Sequence, residues 1–198
     1  MTGPGLFKYK DLAPKDACPA LTFDLPELQY PARMNAVQML FEAGNAAGWE
    51  RRTVFIQDDV RYSFAETETL VHRHMAALRA LGVAAGDTVI LRIPDTIDLV
   101  VTLLAVQAIG AIAMPTYIQL RADDLVYRAE DTDAKFLIST EPLLDEALPV
   151  PAARAGATEV IAIPADGQDR CRNFADYLPD GDVVAEYADT DAEELCLF

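Results

Sequence analysis

Apolar residues in this chain are grouped into short runs that alternate with longer segments of helical periodicity. The runs are mostly apolar and have the length of strands buried on both faces. They lie at residues 88–93, 111–114, 135–139 and 159–163. Helices are predicted between them, the first ending near Ile109 and the second spanning residues 121–131. This alternation predicts an α/β fold: a layered, mostly parallel sheet with helices on both faces.

Two helices and a hairpin are predicted before the first buried run. Residues 53–62 contain two β-rich segments separated by a polar turn, which is typical of a hairpin. Ser63 and Glu66 have the spacing of a capping box, and the helix that they begin ends before Gly82. An earlier amphipathic helix is predicted from Met34, with further apolar positions at Val37, Met39, Leu40 and Phe41.

The two ends of the chain differ from its centre. Residues 1–33 lack periodicity and are interpreted as an extended arm, so the α/β unit is predicted to span residues 34–198. Residues 180–194 carry seven acidic residues and no base, a pattern typical of a solvated, poorly packed segment. Residues 195–198 then have the composition of a strand that has only begun.

Composition and charge exclude several classes of function. The formal net charge is −16, which opposes binding to nucleic acids and to anionic membrane surfaces. Residues 99–118 form an uncharged stretch of twenty residues, but Gly110 and Pro115 interrupt it. We therefore interpret it as a buried helix followed by a buried strand rather than as a membrane span.

The cysteines indicate a reducing compartment. Cys18, Cys171 and Cys196 are odd in number, widely spaced and without a C-x-x-C pair, which opposes a disulfide framework or a structural zinc site. No secretory leader is recognisable in the first ten residues. We therefore predict a cytoplasmic protein.

Residues suited to catalysis are scarce. The ten glycines are scattered, and neither of the glycine-rich phosphate-binding patterns occurs. Lys135, the one lysine outside the arm, is expected to have a structural or solvated role beside Asp131 and Asp133. His72 and His74 point in different directions on a helix, with His74 towards the core edge and His72 towards water, so they cannot share a metal. We predict no metal site and no catalytic residue in this chain.

Five motifs, in this order, resemble the adenylate-forming superfamily of acyl-CoA synthetases. Together they cover about residues 34–140. They are YSFAE at 62–66, LGV at 81–83 with GDTV at 86–89, IPDT at 93–96, AIGAIAMP at 108–115 and DTDAKFLI at 131–138. The run LPELQYPARMNA at 25–36, and AMP at 113–115 followed by Leu120-Arg121, are similar to the benzoate and 2-aminobenzoate CoA ligases.

The resemblance implies a two-step ligase reaction in the complete protein. A carboxylate attacks the α-phosphate of ATP to give an acyl-adenylate and pyrophosphate, and the thiol of CoA then displaces AMP. ATP, Mg²⁺, CoA and a small carboxylic acid, aromatic in this branch, are thus the expected cofactors and partner of the parent protein. No bound cofactor is expected for the segment itself, because the family's phosphate loop would follow Phe198, after the strand at residues 195–198.

The resemblance places one candidate binding residue in the chain. Arg121 lies at a helix start where some relatives contact the nucleotide of CoA, and a structural surface arginine is the alternative interpretation. Two other functions stay open: a fatty-acid CoA ligase of the same superfamily, or a stand-alone interaction module without activity. Self-association through an uncovered sheet edge is also expected.

Overall fold

The computed structural model describes residues 24–25, 29–163, 169–192 and 194–197. In these residues, a parallel sheet has the strand order β4-β3-β5-β6-β7, and β1 and β2 form a separate antiparallel hairpin. The strands are β1 (Thr53–Gln57), β2 (Val60–Ser63), β3 (Thr88–Arg92), β4 (Ile112–Pro115), β5 (Phe136–Ser139), β6 (Glu159–Ala162) and β7 (Arg172–Asn173). The helices are α1 (Ala36–Ala46), α2 (Phe64–Leu81), α3 (Ile97–Ala108), α4 (Ala122–Asp131), α5 (Leu144–Ala147) and α6 (Pro149–Ala153), with 3₁₀ turns at Glu141–Leu143 and Phe174–Tyr177.

Side chains alternate between two hydrophobic cores along the central strand β3. Val89 and Leu91 pack with helices α1, α2 and α3 on one face of the sheet. Ile90, between them, packs with α4, α5 and α6 on the opposite face. Since every residue of β3 is buried, the strand needs an apolar sequence on both faces. The predicted α/β architecture, with a parallel sheet covered on both faces, is confirmed.

The local signals for α2 are confirmed in detail. The backbone N–H of Glu66 donates to Ser63 Oγ at 3.2 Å, and the N–H of Ser63 donates to Glu66 Oε2 at 2.8 Å. At the other end, Gly82 has a φ of 97°, the left-handed conformation that a glycine adopts without strain. These contacts join residues three or four positions apart, which is why the sequence alone reveals them.

The predicted core face of α1 is partly wrong. Val37 and Phe41 are buried as expected, but Met39 and Leu40 are exposed. Gly44 is buried in their place, because the ring of Phe64 from α2 packs directly against the α1 backbone there. A glycine therefore acts as a packing position that a search for apolar side chains does not detect.

The uncharged stretch at residues 99–118 contains most of helix α3, then β4, as the sequence predicted. Val101, Ala105 and Val106 of α3 are buried against the sheet and its covering helices. None of the helices in the described part of the chain is long and apolar enough to cross a membrane.

The acidic segment at residues 180–192, here named the strap, is packed against the fold, so its predicted loose packing is wrong. Its backbone pairs with the chain before α1: Met34 N–H donates to Thr190 O, and Ala192 N–H donates to Ala32 O, both at 3.0 Å. The Asn35 side chain donates to Ala188 O at 3.2 Å. The acidic residues of the strap are exposed, whereas Ala185 and Tyr187 pack against the core that contains α2.

His72 is buried beneath the strap, contrary to the prediction that it faces water. The Ala185 N–H donates to its Nδ1 at 3.1 Å, and the Tyr187 hydroxyl lies 3.3 Å from its Nε2. The prediction failed because these partners are more than a hundred positions away along the chain. His74 points elsewhere, as predicted, and lies 5.0 Å from the ring of Phe174 between centroids.

The last described residues run beside β4. Leu197 forms a parallel bridge with Ala113, whose N–H donates to Cys196 O at 3.0 Å. The predicted strand start at residues 195–198 is thus present as a single bridge at the edge of the sheet. Only part of the predicted arm, residues 24–25 and 29–33, lies within the described residues, so the proposed division at residue 34 stays a prediction.

We predict that Gly44→Ala destabilises the fold, although alanine is the better helix former. A Cβ at this position would overlap the Phe64 ring, with Cε1 only 2.7 Å away, and Phe41 and Trp49 hold that ring from the sides. We expect a loss of about 1–3 kcal/mol in the free energy of unfolding, measured by urea denaturation. Combining the change with Phe64→Leu should cost less than the sum of the two single changes, and additive losses would contradict the proposed overlap.

We predict that His74 makes the fold less stable as the pH falls. Burial lowers the pKa of His74 from its usual 6.5 to about 4, against the opposing effect of its hydrogen bond to Leu70 O. Between these values the unfolded chain binds a proton that the folded chain does not, so stability decreases from about pH 7 to about pH 5. Denaturation at both pH values should show a smaller decrease in the free energy of unfolding for His74→Gln than for the wild-type protein. An equal decrease in the two proteins would contradict the assignment to His74.

Candidate functional site

The sheet topology creates a crevice where three strands end. The chain passes from β3 to β4 on one side, then crosses to β5 on the other side of β3. In open α/β sheets, ligands bind outside the carboxyl ends of the strands at such a reversal of strand order. The residues that follow β3, β4 and β5 are therefore the first place to seek a site.

An open cleft of about 440 Å³ occupies the α3 side of this carboxyl edge. The segment after β3 and the segment after β4 form its walls. The lining residues are Ile93, Pro94, Asp95, Leu99, Pro115, Thr116, Tyr117, Ile118 and Gln119. Tyr117 is 76% exposed, so the mouth of the cleft presents an aromatic side chain to solvent. Such a lining suits a flat apolar group, whereas Asp95 is the one formal charge in it.

Arg92, the last residue of β3, is buried with 2% of its surface exposed. Its Nη1 donates to Leu143 O at 2.6 Å, and its Nη2 donates to Ile118 O at 2.5 Å and to Leu120 O at 2.9 Å. Burial lowers the pKa of this guanidinium, although the more distant Glu146 carboxylate opposes the shift. Arg92 was not predicted from the sequence, although a charged residue at the end of the apolar run TVILR is an unusual feature.

Arg121, the candidate for CoA binding, lies at the start of α4 with an exposed side chain. Its Nη1 pairs with Glu146 Oε1 at 2.8 Å, while the N–H of Ala122 donates to Glu146 Oε2, also at 2.8 Å. Hydrogen bonding to Arg121 is the main cause that lowers the pKa of Glu146. A carboxylate of the protein thus binds both the guanidinium and the positive end of the α4 dipole.

Buried polar atoms without a partner also occur at this edge. Within the described residues, Arg92 Nε, Thr116 Oγ1 and Thr140 Oγ1 have no hydrogen-bond partner. These residues are close in the sheet, since Thr116 N–H donates to Leu91 O and Ser139, before Thr140, is paired with Arg92. The carboxyl edge therefore contains polar groups that the local fold alone does not satisfy.

Lys135 does not contribute to this crevice. It precedes β5 at the opposite, amino edge, where its Nζ contacts Asp87 Oδ1 at 2.5 Å. The Asp87 carboxylate raises the pKa of Lys135, with a smaller effect from Asp133. The structural role expected for Lys135 agrees with this ion pair, but its main partner is Asp87 rather than Asp131 or Asp133.

The described residues bring together no group of three or more His, Cys, Asp or Glu side chains that could hold a metal ion. His72 and His74 serve in packing, as described above. The crevice consequently offers a shaped surface, an exposed aromatic ring and two arginines, but no general base or nucleophile with a matching partner.

A family described as AMP-binding enzyme matches residues 43–196. Among curated relatives, the p-hydroxybenzoic acid–AMP ligase FadD22 of Mycobacterium marinum is 33% identical over 119 residues, covering 58% of this chain and 16% of the relative. The 3-hydroxybenzoate–CoA/4-hydroxybenzoate–CoA ligase of Thauera aromatica is 30% identical over 111 residues, covering 56% of this chain and 21% of the relative.

The fold itself resembles that of a solved enzyme. The crystal structure of the anthranilate CoA ligase AuaEII with anthranoyl-AMP has a TM-score of 0.76 and 22% identity, covering 85% of this chain and 32% of AuaEII. The chain thus spans between a sixth and a third of the length of these proteins. Since the family match includes well over half of the 198 residues, the chain belongs to the AMP-binding enzyme family.

Proposed function

We propose that this chain is the N-terminal segment of an ATP-dependent ligase that joins an aromatic carboxylic acid, of the benzoate or 2-aminobenzoate type, to CoA. The observation that carries the proposal is the match to ligases named for hydroxybenzoates at 30% identity or above. The fold similarity to AuaEII, named for anthranilate, supports the same branch.

The proposed reaction has two displacements. A carboxylate oxygen of the acid bonds to the α-phosphorus of ATP, and pyrophosphate leaves. The thiol of CoA then bonds to the carbonyl carbon of the acyl-adenylate, and AMP leaves as the thiol proton is lost. Mg²⁺ would offset the charge of the phosphates in the first step. The adenylation step is common to the acid–AMP and acid–CoA ligases named above, whereas the second step requires CoA.

The direction of the last described residues supports this proposal. Because Leu197 is bridged in parallel to Ala113, the chain there advances towards the same carboxyl edge as β4. A phosphate loop following Phe198, as the resemblance implies, would reach the edge that carries Arg92 and the cleft. Its backbone N–H groups would then face the crevice at the end of the sheet.

The proposed role of this segment is structural rather than chemical. In the described residues, Lys135 lies at the wrong edge for phosphate binding, and Glu146 is already paired with Arg121. We therefore propose that the 198-residue segment alone does not adenylate a carboxylic acid. Its contribution is the cleft and, through Arg121, a contact with the nucleotide of CoA.

Two further parts of the proposal rest mainly on sequence. A cytoplasmic location agrees with the free thiol of Cys196 and with the intracellular supply of ATP and CoA. Self-association through a sheet edge stays a prediction. β7 offers a short edge of only two residues, and the chain at Leu197 covers part of the β4 edge.

We predict that the 198-residue chain gives no carboxylate-dependent ATP–pyrophosphate exchange. The complete reading frame that contains it should exchange pyrophosphate with benzoate, 2-aminobenzoate or a hydroxybenzoate, and form the thioester when CoA is added. A medium- or long-chain fatty acid is the comparison substrate. Preference for the fatty acid would replace the aromatic assignment, while exchange by the 198-residue chain would disprove its proposed inactivity.

We predict that Arg121→Ala in the complete protein raises KM for CoA by about tenfold or more, as expected for the loss of a charge-assisted contact with phosphate. Exchange of pyrophosphate measured without CoA should be unchanged. Arg170→Ala is the matched control, because Arg170 is also an exposed arginine paired with carboxylates, those of Glu141 and Asp145. Equal KM values for the wild-type and Arg121→Ala proteins would identify Arg121 as a surface arginine with a structural role only.

A further inference from the structure

Arg92 occupies a position that packing alone does not explain. Its guanidinium is buried, yet no ion pair with a carboxylate is formed within the described residues. Burying a charge without a paired counter-ion is costly, and an apolar side chain would fill the end of β3 without this cost. The three carbonyl groups that it binds therefore indicate what the charge contributes.

These carbonyls belong to two separate segments. Ile118 and Leu120 lie in the connection from β4 to α4, and Leu143 ends the 3₁₀ turn before α5. A guanidinium presents several N–H donors in a rigid plane, so one arginine can hold both segments at a fixed separation. Lysine has a single nitrogen and cannot span the same acceptors.

The two segments continue directly into the Arg121–Glu146 pair. Arg121 follows Leu120, and Glu146 lies three positions after Leu143. The bond between Arg121 and Glu146, at 2.8 Å, therefore joins the same two segments a short distance further out. Arg92 holds the backbone of both segments, and Glu146 binds the guanidinium of Arg121 directly. Together they restrict where this exposed guanidinium can lie.

We propose that Arg92 is a positioning residue for CoA: it fixes the β4–α4 connection so that Arg121 meets a phosphate of the nucleotide. This inference rests on the proposed function, since it requires that Arg121 contacts CoA. Arg92 itself is not expected to touch the ligand, because the residue is buried, with only 2% of its surface exposed. The expected consequence is an effect on KM for CoA that is larger than any effect on adenylation, since Arg92 also holds Ile118 of the cleft wall.

The test uses the complete protein with Arg92→Met, Arg92→Lys, Arg121→Ala and the double change Arg92→Met/Arg121→Ala. Three quantities are measured: KM for CoA, pyrophosphate exchange without CoA, and the thermal midpoint. We expect Arg92→Met to raise KM for CoA by about tenfold and to change the rate of pyrophosphate exchange by a clearly smaller factor. The double variant should have the KM of Arg121→Ala alone, because Arg92 acts through Arg121.

Gln119→Gly keeps the proposal testable if the Arg92 variants do not fold. Gln119 is exposed and lies between the two carbonyls that Arg92 holds, so glycine loosens the connection without changing the buried arginine. We expect this variant to raise KM for CoA as well, by a larger factor than any change in pyrophosphate exchange, since Gln119 also lines the cleft. Leu120 and Arg121 are unchanged in this variant. An effect on KM for CoA would therefore come from an altered position of Arg121 and not from the loss of its charge.

Several outcomes would overturn the inference. A lower thermal midpoint with an unchanged KM for CoA would make Arg92 a stabilising residue only, and so would a normal KM in Gln119→Gly. If the Arg92 and Arg121 changes multiplied in their effects on KM for CoA, the two residues would act separately. Failure of the proposed function can be told apart from failure of this inference. In that case the wild-type protein itself would form no thioester with CoA or give no ATP–pyrophosphate exchange.

Discussion

Parallel pairing of β3 with both β4 and β5 is the constraint on which the rest of the fold depends. Parallel strands cannot be joined by tight turns, so each connection must cross a face of the sheet through a helix. The crossover helix α3 therefore lies on one face, together with α1 and α2, and the crossover helices α4, α5 and α6 cover the other. The same geometry gathers the ends of β3, β4 and β5 at one edge, where the cleft and the buried guanidinium of Arg92 are found.

Away from the carboxyl edge, the fold is closed by backbone pairing of the strap. The strap pairs with the residues before α1 and covers His72, so segments distant in sequence form one continuous layer over α2 and α3. Asn35 joins them, because its side chain caps α1 and also donates to Ala108 O and Ala188 O. This closure leads the chain to the edge of β4, where Leu197 meets Ala113.

Features fixed by near neighbours were predictable from sequence, and those that depend on distant contacts were not. The capping box of Ser63 and Glu66 and the stop at Gly82 involve only the backbone around them. The buried strands were recognisable because both of their faces are apolar. By contrast, the burial of His72 depends on Ala185 and Tyr187, two residues of a segment whose high acidic content suggested a solvated loop.

The candidate site shows the same difference between features that are local in sequence and features that depend on distant contacts. Pro94 ends the apolar run of β3, and ligands of parallel sheets bind beyond that end of a strand, so the edge that holds the cleft was predictable, whereas the strand order was not. Arg92 could not be assigned, because its acceptors are backbone carbonyls of segments that no residue pattern marks. The pairing of Arg121 with Glu146 was likewise invisible, as it joins the start of α4 to a separate short helix.

The charges at the carboxyl edge of the sheet agree with the positioning role proposed for this segment. The triphosphate of ATP needs positive charge close to its oxygens, yet the cleft contains Asp95, and Glu146 already binds the exposed Arg121. The buried charge of Arg92 is directed at carbonyls and is shielded from ligands. The described part of this edge therefore presents little unpaired positive charge, which agrees with the proposal that the segment positions ligands rather than stabilises the charge of the adenylation step.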